Sequence, residues 1–386
     1  MRVFYDAMVL REPYSGVEVT VHQLAAALAQ YGKLPVCACV PTGHRPIPAR
    51  PHLRLREVRG VSKSRLMRIL WEQTVLPVLL MRSRASLLHA PAYVAPMLSP
   101  CPLVLTVHDL HVMTHPQFCG RENRMHYKLL MPPSIRRANK IIVFSEHTRR
   151  NVVERFPFAA DRIQVVPPGL TPGLARCENF SRQQQVRQKY RLPSSFLLFV
   201  GDLTSRKNIT GLISAFDIVQ GERPDLHLVL AGAADPASIA AIDRVVRRYG
   251  IRHRVMRTGY VELDDLGVMY SLAQAFVFPS HDEGFGLPPL EAMACGCPVV
   301  CSGGAAVENC GDAAVSCDPS DTSSIASAVS LLLDHPSFRR DKIRAGYVKA
   351  AGFVWDRAVR ATEQVYLEVM RKNGQQVVDP YHHWGR

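Results

Sequence analysis

The stretch that most constrains the fold runs from Ala275 to Ser302. An apolar segment, Ala275-Phe276-Val277-Phe278-Pro279, ends at Ser280 and runs into His281-Asp282-Glu283-Gly284-Phe285-Gly286-Leu287. Pro288 and Pro289 suit the first turn of a helix, where a missing N–H costs nothing. Leu290 to Cys295 continues that helix, Gly296 and Pro298 stop it, and Val299-Val300-Cys301 reads as the next strand. Strand, glycine loop, short helix and strand make one βαβ step, whose loop sits where parallel sheets bind ligands.

The chemistry of the loop is mixed. Glu283 and Glu291 frame it, and carboxylates accept hydrogen bonds from the hydroxyls of a sugar or a ribose. The N–H groups of Gly284, Phe285 and Gly286, with the helix N-terminus behind them, favour an anion such as a phosphate. Together they describe a nucleotide sugar. Each feature also has a structural reading, since a Glu in a first helical turn complements the helix dipole and Gly-x-Gly loops are common.

The 386 residues are long for one domain, and 47% apolar with 21% charged is a globular composition. No apolar run approaches the roughly 18 residues of a spanning helix. The opening MRVFYDAM is strand-like and has no signal-peptide pattern, so a cytoplasmic protein is expected. The ten cysteines form no C-x2-C pair, and reduced, buried thiols are expected rather than zinc or disulfides. The net charge of +14 is uneven: residues 1–175 hold 23 Lys+Arg against 10 Asp+Glu, and residues 176–386 hold 24 against 23. A basic half attracts anionic lipid headgroups, diphosphates or nucleic acid.

Residues 1–175 alternate strands (Val3–Tyr5, Val36–Val40, Leu53–Val58, Leu87–His89, Leu103–Val107, Ile141–Phe144) with helical patterns such as Val19–Ala29. This argues for a doubly wound parallel sheet. The turn after the first strand carries Tyr14-Ser15-Gly16. Residues 45–68 hold Arg45, Arg50, Arg54, Arg56, Arg59, Lys63, Arg65 and Arg68 against Glu57 alone, and Trp71, Leu76, Val78, Leu79, Leu80 and Met81 follow. Such a run reads either as a membrane-surface patch or as a solvated face before an ordinary core helix. Nucleic acid is not expected, because no recognised motif for it appears. His108 and Asp109 stand just after a strand, where an α/β site collects side chains. Metal binding through His108, His111 and His115 is disfavoured by Pro116 and the absence of a clear helix.

Pro167-Pro168-Gly169, Pro172-Gly173 and SRQQQVRQKY read as an interdomain connection over 167–195. The second domain starts with strand Phe196–Val200, Gly201, and then Arg206-Lys207-Asn208, adjacent cations that suit a diphosphate. Strands Leu226–Leu230 and Val255–Arg257 end in glycine turns. Helical patterns are expected at 263–272, 323–333, 338–351 and from Trp355 to Met370.

The stretch from Glu283 to Glu291 closely resembles the signature of the retaining glycosyltransferases of family four. His108-Asp109-Leu110 with Pro116, Gly201 to Asn208, and Val307-Glu308-Asn309 resemble further motifs of that family. Two departures stand out: Glu18 where the family usually has a second glycine, and Asp202 where some members have an arginine. The resemblance implies the GT-B fold, two Rossmann-like domains facing across a cleft. The first would be 1–175, completed by a C-terminal helix at about 356–386, and the second 190–355. It implies that Glu283 contacts the donor sugar, Glu291 the ribose, and Arg206 and Lys207 the diphosphate. Gly16, Gly201, Gly284, Phe285, Gly286 and Leu287 would line the donor site, Val261 would lie near the base, and His108 would face Glu283. The implied activity is metal-independent, cofactor-free transfer of a hexose from a nucleotide-diphosphate sugar, with GDP-mannose the favoured donor. The implied acceptor is a glycan or lipid-linked oligosaccharide of surface polysaccharide synthesis, at the inner face of a membrane. Other readings are an epimerase or phosphorylase on the same architecture, or a non-catalytic binder of anionic lipid or nucleic acid.

Overall fold

The computed structural model describes residues 2–12, 14–61, 64–378, 380 and 381. Lys63 of the basic run and residues 379 and 382–386 of the expected C-terminal segment lie outside the described residues. The chain divides into two compact units, one of residues 1–169 with 353–386 and one of residues 170–352.

The first unit is built on a seven-stranded parallel sheet of β1 (Val3–Asp6), β2 (Val36–Pro41), β3 (Leu53–Val58), β4 (Leu87–Ala90), β5 (Leu103–Val107), β6 (Lys140–Val143) and β7 (Ile163–Val165). Its strand order is β3-β2-β1-β4-β5-β6-β7. β1, β4 and β5 are buried throughout, as their near-continuous apolar runs require of strands covered on both faces. β3, at one edge, carries exposed arginines instead. The helix Trp355–Lys372 belongs to this unit. Its buried Glu363 accepts the amides of Lys33 (3.0 Å) and Leu34 (2.9 Å). The hydroxyl of Tyr366 on the same helix pairs with Nδ1 of His89 at 2.6 Å.

The second unit has a six-stranded parallel sheet of β8 (Ser195–Val200), β9 (Leu226–Ala231), β10 (Val255–Gly259), β11 (Ala275–Phe278), β12 (Val299–Cys301) and β13 (Val315–Ser316). Its order is β10-β9-β8-β11-β12-β13. Side-chain caps start several of its helices: Asn179 accepts the amide of Arg182, Asp235 that of Ser238, and Asp321 that of Ser323.

The division between units falls at Gly169 and not across a linker over 167–195, so the expected limits at 175 and 190 do not hold. Gly169 is fixed there by packing, since a Cβ on it would lie 2.5 Å from the Trp355 ring. The polar run SRQQQVRQKY is a helix, Phe180–Tyr190, whose Arg182, Lys189 and Tyr190 all reach the buried carboxylate of Asp265. Polarity marked it as a connection, whereas one acid under the helix makes it part of the domain. β7 and β13 were too short to show in the sequence.

All ten cysteines are free thiols, and burial pushes Cys295 up to about 12, away from thiolate chemistry. Among the described residues no helix is long and apolar enough to cross a membrane, and no three His, Cys, Asp or Glu side chains gather as metal ligands.

Candidate active site

The order of the second sheet reverses direction between β8 and β11, and the chain leaves both strands there. Ligands of open α/β sheets bind in the crevice at such a point. From β8 come Gly201, with φ of +140°, and the tight turn Ser205–Lys207, closed by Asn208 in the left-handed region. From β11 come Ser280 to Gly286.

These two segments meet at one carboxylate oxygen. Glu283 Oε1 accepts from Arg206 Nη1 at 2.8 Å and from Lys207 Nζ at 2.7 Å. Arg206 Nη1 also donates to the Asp282 carbonyl at 2.7 Å, and its own carbonyl accepts the His281 amide at 3.0 Å. Lys207 Nζ lies 4.5 Å from the centre of the Phe278 ring, an added attraction for a cation. Lys207 is only 8% exposed and Glu283 7%. Burial holds the Lys207 ammonium below the ordinary lysine range, against the pull of Glu283 in the other direction. Two cations and one carboxylate leave the cluster net positive. That suits a second anion with more than one oxygen to offer.

The glycine loop is held from behind by the helix Gly304–Cys310. The Ala305 amide donates to the Glu283 carbonyl (3.2 Å) and Asn309 Nδ2 to the Phe285 carbonyl (2.7 Å). Gly286 starts the helix Leu287–Ala294 at φ +85°, and a Cβ there would stand 2.6 Å from Ala306 Cβ. Its lack of a side chain is thus demanded by helix packing and backbone conformation. Gly284 and Phe285 are buried, and Leu287 is half-buried.

Glu291 takes no hydrogen bond from this cluster. Its Oε1 accepts from Thr171 Oγ1 at 2.5 Å, and burial pushes its carboxyl up from the usual range. Val261, in the turn after β10, is buried and makes no polar contact through its side chain.

His108 and Gly16 belong to the first unit. His108 follows β5, its ring packed between Tyr93 (centroids 5.1 Å apart) and Phe144 (4.8 Å). Nε2 lies 2.7 Å from the Pro91 carbonyl. A carbonyl can only accept, so Nε2 carries the proton and Nδ1 is the acceptor. Burial lowers the His108 pKa, so the ring is neutral at physiological pH. Asp109 serves the loop itself, accepting the Tyr93 hydroxyl at 2.7 Å and the His111 amide at 3.0 Å. Gly16 opens the helix Gly16–Tyr31, with no atom within 4 Å of a would-be Cβ. Glu18, in the place of the missing second glycine, accepts the Ser15 amide (3.2 Å) and hydroxyl (2.5 Å), a helix-capping role.

Sequence reading assigned no role to Thr171, to Asn309 or to the Asp282 carbonyl. Asn309 adjoins Glu308, which was noticed, but the amide at 309 is the one that holds the loop. Thr171 lay in what read as a linker.

Two parallel sheets, each wound with helices on both faces, define the GT-B class of folds. Residues 182–349 match the family model for glycosyl transferases group 1, and residues 14–174 match that for glycosyltransferase family 4. The chain belongs to this family and is a glycosyltransferase. It is 32% identical over 274 residues to O-antigen chain mannosyltransferase B of Escherichia coli, covering 68% of this chain and 69% of that one. It is 30% identical over 261 residues to the serotype-specific mannosyltransferase WbdA of Escherichia coli, covering 66% of this chain but only 32% of that longer protein. Anabaena HepE, solved in complex with UDP-glucose, shares the fold at a TM-score of 0.73 with 16% identity, covering 97% of this chain and 99% of HepE.

Proposed function

We propose that the protein transfers a hexose, with retention of anomeric configuration, from a nucleotide-diphosphate sugar to a glycan or lipid-linked oligosaccharide in surface polysaccharide synthesis. The mannosyltransferases among its relatives favour GDP-mannose as donor. The observation that carries the reading is the convergence of Arg206 and Lys207 on one oxygen of Glu283 at the switch point of the second sheet.

Breaking the anomeric bond leaves negative charge on the diphosphate and positive charge on the sugar ring. Arg206 and Lys207 stabilise the first, fixed in place before the reaction by Glu283 and the Asp282 carbonyl. They supply the positive charge that a metal supplies elsewhere, so a chelator is expected to leave the rate unchanged. With its Oε1 held by two cations, Glu283 is a poor nucleophile. It serves to orient the cations and the sugar hydroxyls, and the acceptor hydroxyl attacks on the face that the diphosphate vacates, giving its proton to the departing diphosphate. His108 assists at the sugar as a neutral imidazole. Glu291 takes the ribose, and Val261 lies at the base. The enzyme works at the cytoplasmic face of a membrane, drawn there by its basic first half.

A hydrolysis and transfer screen over UDP-, GDP-, ADP- and dTDP-sugars tests the reading. Turnover of one GDP-sugar that is lost in Lys207→Ala is expected. No turnover of any donor, equal turnover in the variant, or epimerisation without transfer would refute it.

A further inference from the structure

The helix Arg65–Arg82 of the first unit turns apolar side chains both ways. Trp71, Leu76 and Leu80 enter the core. On the solvent side, Leu66 is 63% exposed, Leu70 48%, Val78 40% and Met81 62%, with Thr74 between them. Their three- and four-residue spacing makes one continuous stripe along the helix, and no charged residue interrupts it. Met67 and Val75 widen it. Met97, whose amide donates to Gln73 Oε1 at 2.9 Å, and the 76% exposed Leu98 extend it at the side. Exposed apolar surface this continuous marks an interaction site.

Exposed arginines accompany this helix. Arg54 pairs in register with Cys37, and Arg56 with Cys39, so all four side chains share one face of the sheet. Cys39 belongs to the core cluster that holds Trp71, Leu76 and Leu80. Arg54 and Arg56 therefore project on the side of the sheet that this helix covers, and both are exposed. Arg82 and Arg84 stand exposed at the helix's C-terminal end. None of these four arginines makes an ion pair among the described residues.

We propose that this face inserts into an anionic phospholipid bilayer, with Leu66, Leu70, Val78 and Met81 entering the boundary between headgroups and acyl chains. Arg54, Arg56, Arg82 and Arg84 lie against the phosphates. A second copy of the chain is a poorer occupant, because it would bring like charges face to face, whereas a phosphate surface complements them. The inference deepens the membrane placement proposed above, and it differs from attraction by net charge alone: apolar insertion survives salt that screens charges.

The test is flotation of the full chain with phosphatidylglycerol–phosphatidylcholine vesicles at about 0.05 M and about 0.5 M salt, where charge screening differs strongly. Binding at both salts is expected. Leu66→Ser/Leu70→Ser should weaken the high-salt binding by at least about tenfold, from the apolar area withheld from the bilayer. Arg54→Gln/Arg56→Gln should remove only the low-salt gain, and Val348→Ser, an equally exposed apolar residue of the second unit, should change nothing. Unchanged melting temperatures confirm that the variants are folded. Binding that vanishes with salt and ignores the serine pair would overturn insertion while leaving attraction by the basic half in place. No binding at either salt would sink both. A wild-type dimer that the serine pair splits, without vesicle binding, would assign the face to a second copy and refute the proposal.

Discussion

Removing the charge of Lys207 while keeping its bulk tests the site most sharply. In Lys207→Met the side chain still fills the space beside the Phe278 ring, but the contact to Glu283 Oε1 at 2.7 Å is lost. Glu283 keeps Arg206 at 2.8 Å, so its carboxylate is not stranded. Breaking a buried pair outright costs about 3–5 kcal/mol, and the surviving partner reduces this to about 1–2 kcal/mol. For a unit of this size that lowers Tm by only about 2–8 °C. The rate should suffer far more. Loss of one fixed donor to a developing anion typically costs about 10²–10³ in kcat, or about 2.7–4 kcal/mol. Steady-state transfer from the donor found in the screen, measured beside thermal unfolding, separates the two effects. Lys207→Arg should restore much of the rate and carry its alkaline limb upward. Burial holds the wild-type ammonium below the ordinary lysine range, so wild-type activity falls at lower pH than a guanidinium allows. A Lys207→Met enzyme that retains kcat within about threefold would refute the reasoning, because no other loss of that size is compatible with fixed charge at the leaving group.

Three further outcomes follow from single contacts. Gly16→Ala meets no atom within 4 Å and sits in a first helical turn, so the fold should be unchanged or slightly more stable; a raised donor KM in this variant would report close ligand approach at the loop, and an unchanged KM would remove Gly16 from the site. His89 is fully buried between Tyr366 and Thr106, and burial lowers its pKa to about 3. The unfolded chain takes up this proton near the ordinary histidine value and the folded chain does not, so stability is lost as pH falls from about 6.5, by up to about 1.4 kcal/mol per unit. Asp6, raised to about 6, and Glu72, raised to about 8, act in the opposite sense, so the His89 share is read from the difference between wild type and His89→Gln in denaturant unfolding at several pH values. Glu363→Ala strips the acceptor from the Lys33 and Leu34 amides and the Tyr381 hydroxyl, and should destabilise the first unit by about 2–4 kcal/mol in the same assay.

Arg206-Lys207 and the run from Glu283 to Leu287 could be picked out as candidates because they lie in short runs whose local chemistry is distinctive. Each follows a buried strand, and glycine and charge just past the C-terminal end of a parallel strand advertise a ligand loop. What was not legible was pairing. Nothing in the order of residues says that both cations share a single oxygen of Glu283, or that Glu291 is bonded to Thr171, 120 positions away. Glycine was ambiguous in another way. Gly286 looked like a concession to a ligand, yet Ala306 and a positive φ account for it. Gly16, by contrast, is crowded by no neighbour, so packing does not account for it.

The helix Arg65–Arg82 shows the same limit at the level of a face. Its sequence carries apolar residues all round, and periodicity alone could not say whether they form core or surface. By themselves, the residues determined the alternation of strands and helices, the two parallel sheets and the loops that leave their ends, because those depend on hydrophobic period and on proline and glycine geometry over a few neighbouring positions. Only the tertiary structure decided which apolar residues face water, which charges neutralise one another and where the chain passes from one unit to the next. Those are properties of contacts between segments far apart in the chain, and burial and charge pairing take their sign from what lies opposite.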